Sequence, residues 1–190
     1  MQIKNFFLAF FVIILFASCH KSNLNEAEQP PEPIEAEPPV LQPVSININN
    51  KIGGYYRALP AHYAETTKSY PILVFIHGAG QYGNGINDLL LLLTDGVPQL
   101  LDEKRLPASF QVNGETHSFI FLVPQFKSAP GIADMKAFFD YALQNYRIDS
   151  SRIYYAGFSL GGLAVCDFAA AYSGNIAAIV AMSGVSDDNE

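Results

Sequence analysis

Ser159 stands between two glycines, Gly157 and Gly161, where an apolar run of strand length (residues 153–156) gives way to a helical pattern of small residues. A Gly-x-Ser-x-Gly sequence between a strand and a helix predicts a turn so tight that its flanking positions must lack side chains. The serine of such a turn is exposed in a strained conformation. Ser159 is therefore a candidate nucleophile, and the N–H of Leu160 at the helix start a candidate oxyanion donor. The alternative is a glycine-rich helix start that Ser159 caps.

A second loop that could take part in catalysis follows the apolar run 72–76 and begins with His77 and Gly78. An oxyanion needs a second N–H donor, and a His-Gly turn after a neighbouring strand can supply it. We expect the N–H of Ala79 to be this donor, with Gly80 as the near alternative. His77 is expected to hold the loop and not to act as a general base, since it precedes the loop.

Runs of apolar residues provide the elements that position both loops. Four nearly continuous runs predict buried parallel strands at residues 72–76, 119–123, 153–156 and 176–182. An alternating pattern predicts an edge hairpin at residues 45–49 and 55–59, and helices are expected at 87–93, 132–146 and 162–172. The second helix is expected to bury one face, formed by Ile132, Met135, Phe138, Phe139, Ala142, Leu143 and Tyr146. Cys166, in the third helix, is expected to be a small buried residue.

The alternation of strands and helices predicts an α/β fold with three layers: a mostly parallel sheet with helices on both faces. Functional sites in such sheets form outside the carboxyl ends of the strands. Both loops follow predicted strands directly. They are therefore expected to meet at the same edge of the sheet.

With these two loops after neighbouring strands, the chain resembles members of the α/β-hydrolase superfamily. More narrowly, the chain resembles the secreted esterase and predicted-peptidase group, which includes polyhydroxybutyrate-depolymerase-like, feruloyl-esterase-like and dienelactone-hydrolase-like proteins. The matching stretches are residues 70–80 and residues 146–154, and the resemblance covers roughly residues 55–184. Residues 81–85 depart from the Glu-Arg-Gly-Asn sequence that is frequent at this place. The resemblance implies a serine nucleophile and no metal or organic cofactor.

The partners that a serine nucleophile needs are not found where the resemblance implies them. In this superfamily an Asp or Glu and then a His follow the nucleophile, whereas all four histidines, His20, His62, His77 and His117, precede Ser159. Two acids, Asp187 and Asp188, follow the last predicted strand, although the resembling group carries its acid after the next strand. We therefore expect a fold truncated after its sixth strand, with the base and the acid beyond residue 190.

The N-terminus has the pattern of an export signal. Lys4 precedes a run of twelve apolar residues. This run is shorter than the about 20 residues that a helix needs to span a bilayer, and its length is typical of a signal peptide. The segment then ends in a sequence that resembles a bacterial lipobox, whose cysteine, here Cys19, would carry acyl chains. An ordinary signal peptide with an incidental Cys19 is the alternative. We predict a lipoprotein signal peptide at residues 1–18, a Cys-anchored, Pro- and Glu-rich tether at 19–44 and the N-terminal part of an α/β-hydrolase domain at 45–190.

Composition limits the possible functions. Of the 190 residues, 49% are hydrophobic and 15% charged, which suits a globular domain, and the net charge of −7 disfavours a nucleic-acid partner. We expect an exported serine hydrolase of carboxylesterase type, anchored to a bacterial membrane through Cys19 and facing the periplasm or the cell surface. Its substrate would be a small-molecule or glycan ester. The alternatives are a peptidase-like hydrolase and a surface lipoprotein that uses the fold for binding.

Overall fold

The computed structural model describes residues 37–184. The expected signal peptide, Cys19, most of the tether, Asp187 and Asp188 lie outside these residues. The strands are β1 (Gln42–Ser45), β2 (Ile52–Ala58), β3 (Tyr70–Ile76), β4 (Phe110–Val112), β5 (Glu115–His117), β6 (Ile120–Phe126), β7 (Ile148–Phe158) and β8 (Ala178–Met182). The α-helices are α1 (Gly96–Asp102), α2 (Ile132–Asn145) and α3 (Leu160–Ala171), and four short 3-10 turns lie at Tyr63–Glu65, Ala79–Gln81, Leu89–Thr94 and Ser173–Asn175.

Six of the strands form one sheet in the order β1-β2-β6-β3-β7-β8. β6, β3, β7 and β8 run parallel to one another, whereas β1 and β2 form an antiparallel hairpin at the β6 edge. The expected mostly parallel sheet is confirmed. Because β3 and β7 are direct neighbours and parallel, the loops that follow them emerge side by side.

Helices cover both faces of this sheet, so the expected three layers are present. α2 and α3 pack on one face through residues such as Phe138 and Phe168, which are fully buried. The 3-10 turn Leu89–Thr94 and α1 pack on the other face through Leu92 and Leu101. Burying a side chain of this size contributes about 1.5–3 kcal/mol to folding. The two apolar layers therefore hold β3 and β7, and the loops after them, in fixed positions.

The N-terminal hairpin begins earlier than the sequence predicts. β1 starts at Gln42, inside the segment expected to be tether, and β2 starts at Ile52, ahead of the expected second strand at residues 55–59. Main-chain pairing explains the difference, since Gln42 lies opposite Arg57 and Val44 opposite Tyr55. Pro43 lies within this pairing, and Pro38 and Pro39 precede it, which made the segment resemble an extended linker.

The helices differ from prediction in three respects. Residues 87–93 contain a 3-10 turn and not an α-helix, and α1, which follows them, was not predicted. α2 begins at Ile132 as expected but ends at Asn145, one residue early, and Ile132 and Leu143, expected on its buried face, are exposed. Cys166 is also exposed, contrary to expectation, because the buried face of α3 is defined by Val165 and Phe168. Since every residue of α3 except Asp167 is apolar or glycine, its sequence periodicity is a weak guide to which face is inside.

No helix within residues 37–184 is long and apolar enough to cross a membrane.

Candidate active site

Ser159 occupies the turn that joins β7 to α3. Its backbone has φ 53° and ψ −121°, a combination that costs a residue with a side chain about 1–3 kcal/mol. The structure maintains it because the N–H of Ser159 donates to the carbonyl of Met182 on β8 (2.8 Å), while its own carbonyl accepts from the N–H of Gly162 (2.8 Å). The strained conformation expected of a nucleophile turn is therefore present. Ser159 lies at the N-terminus of the 12-residue α3, where the helix dipole favours negative charge.

The two glycines beside Ser159 are required by close backbone packing. A Cβ on Gly157 would lie 2.2 Å from the carbonyl oxygen of Gly161. A Cβ on Gly161 would in turn lie 2.2 Å from the carbonyl oxygen of Ile76, at the end of β3. The absence of side chains thus lets the first turn of α3 rest directly on the end of β3. Their predicted role in forming the tight turn agrees with this geometry.

The loop after β3 lies next to Ser159. A Cβ on Gly78 would be 3.4 Å from Cβ of Ser159. The neighbouring Ala79 and Gly80 are exposed. The two segments selected from the sequence are therefore adjacent in the fold, at the carboxyl ends of β3 and β7.

The hydrogen bonds of this loop identify which of its N–H groups are available to a ligand. The N–H of Gly78 donates to Oε1 of Gln81 (3.0 Å), and the N–H of Gln81 donates to the carbonyl of Gly78 (3.2 Å). Within residues 37–184, the N–H groups of Ala79, Gly80 and Leu160 have no hydrogen-bond acceptor. Ala79 and Leu160 therefore stay the candidate donors near Ser159, with Gly80 as the alternative.

His77 is a buried structural residue, 1% exposed. Its Nδ1 donates to the carbonyl of Gly78 (2.7 Å), and its Nε2 accepts from the N–H of Phe126 (3.0 Å). This pairing requires the neutral ring, and burial lowers the pKa of His77, although the Gly78 carbonyl and the charge of Asp95 oppose that effect. Because both ring nitrogens are occupied, His77 cannot take a proton from Ser159. It holds the Gly78 loop, as expected.

The lowered pKa of His77 makes stability depend on pH. Below about pH 6.5 the unfolded chain binds a proton that the folded protein does not, so the free energy of unfolding falls as pH decreases. The slope from this one group reaches about 1.4 kcal/mol per pH unit, down to the lowered pKa of the folded state. Urea unfolding between pH 7.5 and 5.0 should show this loss, and a His77→Gln variant should lack that part of the slope. The matched variant at an exposed histidine, His62→Gln, should keep it; equal slopes in all three proteins would contradict the assignment.

The other histidines of residues 37–184 lie far from Ser159. His117 on β5 accepts a hydrogen bond from Arg152 (2.9 Å) near the start of β7. Ser159 follows the end of that extended strand, about 20 Å away at about 3.3 Å per residue. His62 pairs with Glu65, next to Tyr63, whose ring packs on Tyr70 at the start of β3. No histidine among the described residues can therefore act as base to Ser159.

Two buried glutamines were not identified as site residues from the sequence. Gln81 was noted only as a departure from the resembling group, and Gln125 was not singled out at all. Gln81 is 4% exposed and Gln125 is 0% exposed, and both bond to the loop that follows β3. The only sequence signal was a polar residue near the end of an apolar strand.

Among the described residues there is no cluster of three or more His, Cys, Asp or Glu that could hold a metal ion.

Comparison with known proteins gives a likeness in structure and not in sequence. No protein-family model matches the chain, and no curated protein matches it significantly. An S-formylglutathione hydrolase from Staphylococcus aureus superposes with a TM-score of 0.57 at 16% identity, over 77% of this chain and 58% of its own. A fluorophosphonate-binding serine hydrolase from the same organism gives 0.55 at 16% identity, over 78% and 58%. A ferulic acid esterase gives 0.54 at 21% identity, over 80% and 64%.

The chain thus spans about three fifths of the length of these solved proteins. At such identities the likeness concerns the arrangement of the backbone. It agrees with the sheet order, the helices on both faces and the strand-to-helix turn at Ser159. The chain has the α/β-hydrolase fold.

Proposed function

We propose that this chain is the N-terminal part of a serine hydrolase of carboxylesterase type. The observation that carries the proposal is the strained turn that presents Ser159 beside two backbone N–H groups, those of Ala79 and Leu160, that lack acceptors among the described residues. A serine capping a helix has no need of either feature, and its side chain makes no capping hydrogen bond here. The names of the structural neighbours, which are esterases and serine hydrolases, support the same chemistry.

The proposed reaction proceeds through an acyl-enzyme. Oγ of Ser159 attacks the ester carbonyl while its proton passes to a general base, and the carbonyl oxygen becomes an oxyanion that accepts from Ala79 and Leu160. The C–O bond then breaks, and the alcohol leaves with the proton from the base. Water attacks the acyl group in the second half, giving the carboxylic acid and restoring Ser159.

The general base and its acid partner are proposed to follow residue 190. His62, His77 and His117 are excluded by their positions and hydrogen bonds. His20 belongs to the segment expected to be a tether. By this proposal the 190-residue chain alone lacks the groups that activate Ser159, and its hydrolytic activity depends on the residues that supply them.

The proposed substrate class is an acylated glycan. The resemblance to feruloyl-esterase-like proteins and the ferulic acid esterase among the neighbours favour it. The test is a panel of acetylated and feruloylated oligosaccharides, simple activated esters and aminoacyl amides. It is run on the protein extended beyond Glu190 and on its Ser159→Ala variant. Ser159-dependent hydrolysis of the esters supports the proposal, whereas activity on aminoacyl amides alone would show that the protein is a peptidase and not an esterase.

The proposed location is a bacterial membrane surface, reached through acylation of Cys19. Metabolic labelling with a fatty-acid analogue should tag the parent chain and miss a Cys19→Ser variant, which should also leave the membrane fraction, because two or more acyl chains give stable anchoring. A Cys166→Ser variant is the matched control and should keep both the label and the location. Labelling that survives the loss of Cys19 would contradict the anchor.

A further inference from the structure

Two buried amides connect the Gly78–Gly80 loop to the sheet. Gln81 ends the 3-10 turn Ala79–Gln81, and Gln125 is the second-last residue of β6. Buried polar side chains are costly unless every hydrogen-bonding group is paired. Each of these two amides is paired on both its oxygen and its nitrogen.

Gln81 acts on the peptide group between Gly78 and Ala79. The carbonyl of this peptide accepts from the N–H of Gln81 (3.2 Å) and from Nδ1 of His77 (2.7 Å). A trans peptide is planar, so its N–H points opposite to its C=O. Two donors that fix the carbonyl of Gly78 therefore also fix the direction of the N–H of Ala79.

The side chain of Gln81 completes this restraint. Oε1 accepts from the N–H of Gly78 (3.0 Å), which removes that N–H from competition for a ligand. Nε2 donates to Oγ1 of Thr94 (3.1 Å), whose hydroxyl donates in turn to the carbonyl of Leu91 (2.9 Å). The chain of bonds anchors the loop to the 3-10 turn that packs on the sheet.

Gln125 holds the segment that follows. Its Nε2 donates to the carbonyls of Gln81 (3.1 Å) and Asp88 (2.8 Å), and its Oε1 accepts from the N–H of Gly85 (2.9 Å). One side chain on β6 thus joins three points of residues 81–88. Gly83 packs so closely on this amide that a Cβ there would lie 2.5 Å from Nε2 of Gln125.

We propose that Gln81 and Gln125 are positioning residues that aim the N–H of Ala79 at the oxyanion. This inference rests on the function proposed for Ser159. An N–H held toward the site of developing charge stabilises the transition state more than the bound ester. Loss of either amide should therefore lower kcat and leave KM nearly unchanged.

The experiment uses the protein extended beyond Glu190 and measures kcat, KM and thermal unfolding with a simple activated ester. Gln81→Met and Gln125→Met preserve length and remove the hydrogen bonds. Each should lower kcat by about 10- to 100-fold, with KM within about twofold, since removing one oxyanion donor outright costs about 10²–10³. Gln111→Met is the matched control, because Gln111 also donates to a threonine, Thr116 (2.6 Å), but in the exposed β4–β5 hairpin. It should match the parent.

Acidic variants separate positioning from bulk stability. Gln81→Glu keeps an oxygen acceptor for the N–H of Gly78 and should recover most of the kcat lost in Gln81→Met. Gln125→Glu places oxygen against two carbonyls and should recover none. If Gln125→Met does not fold, the kcat of Gln81→Met compared with that of Gln81→Glu still tests the positioning role.

Parental kcat in folded Gln81→Met would overturn the inference. A loss of kcat fully explained by the unfolded fraction, without rescue by Gln81→Glu, would overturn it as well. An extended parent without Ser159-dependent turnover would instead overturn the proposed function, and this inference with it.

Discussion

Replacing Ser159 with Ala should abolish ester hydrolysis by the protein that carries its base and acid. Removing the nucleophile of a serine hydrolase lowers kcat by on the order of 10⁶, so we expect a loss of at least about 10⁴-fold. KM should be much less affected, because Oγ forms its bond in the reaction and not in substrate binding. Initial rates with a simple activated ester measure the loss, and a serine-directed fluorophosphonate should label the parent and not the variant.

The 190-residue chain provides the control for this experiment. It contains Ser159 and both proposed oxyanion donors, but His77 and His117 cannot serve as its base. It should therefore hydrolyse the ester no faster than its own Ser159→Ala variant. Equal activity of the extended parent and its Ser159→Ala variant would show that Ser159 is not the nucleophile.

The fold was largely predictable because buried parallel strands are apolar on both faces. All four predicted runs became strands in the parallel part of the sheet, but β8, the edge strand, is exposed or half-buried and not buried as expected. Prediction failed where local sequence was weakly periodic: leucines at 89–93 form a 3-10 turn, and β1 lies in a proline-rich segment. In both places contacts with other elements determine the conformation: Val44 pairs with Tyr55 on β2, and Leu92 packs in one cluster with Phe75 and Val123 of β3 and β6.

The residues of the site likewise fall into two groups: those that a local sequence motif reveals, and those that only the fold brings to the site. Ser159, Gly157 and Gly161 form a motif whose spacing is set by the turn itself, so the sequence reveals it. Gln125, in contrast, lies 40 or more residues from the N–H of Gly85 and the carbonyl of Gln81 that it pairs with. No spacing rule links such residues. Only the neighbouring positions of β6 and β3 bring the amide of Gln125 to that loop.

Substituting Gly161 with Ala should strongly disrupt the described part of the active site. The added Cβ would lie 2.2 Å from the carbonyl oxygen of Ile76 and 2.6 Å from that of His77. Both oxygens belong to the backbone at the end of β3, so neither can rotate away as a flexible side chain would. Relief requires α3 to move away from β3, which separates Ser159 from the Gly78–Gly80 loop.

We therefore expect Gly161→Ala to lose about 3 kcal/mol of stability or more, at the upper end for an overpacked site. Activity per folded molecule should fall by about 10²-fold, the cost of misplacing reacting groups by about 1 Å. Gly174→Ala is the matched control, because a Cβ at Gly174 meets nothing within 4 Å. Urea unfolding and ester turnover of the extended protein measure both effects. Parental stability and turnover in Gly161→Ala would mean that close contact between α3 and β3 does not build the site.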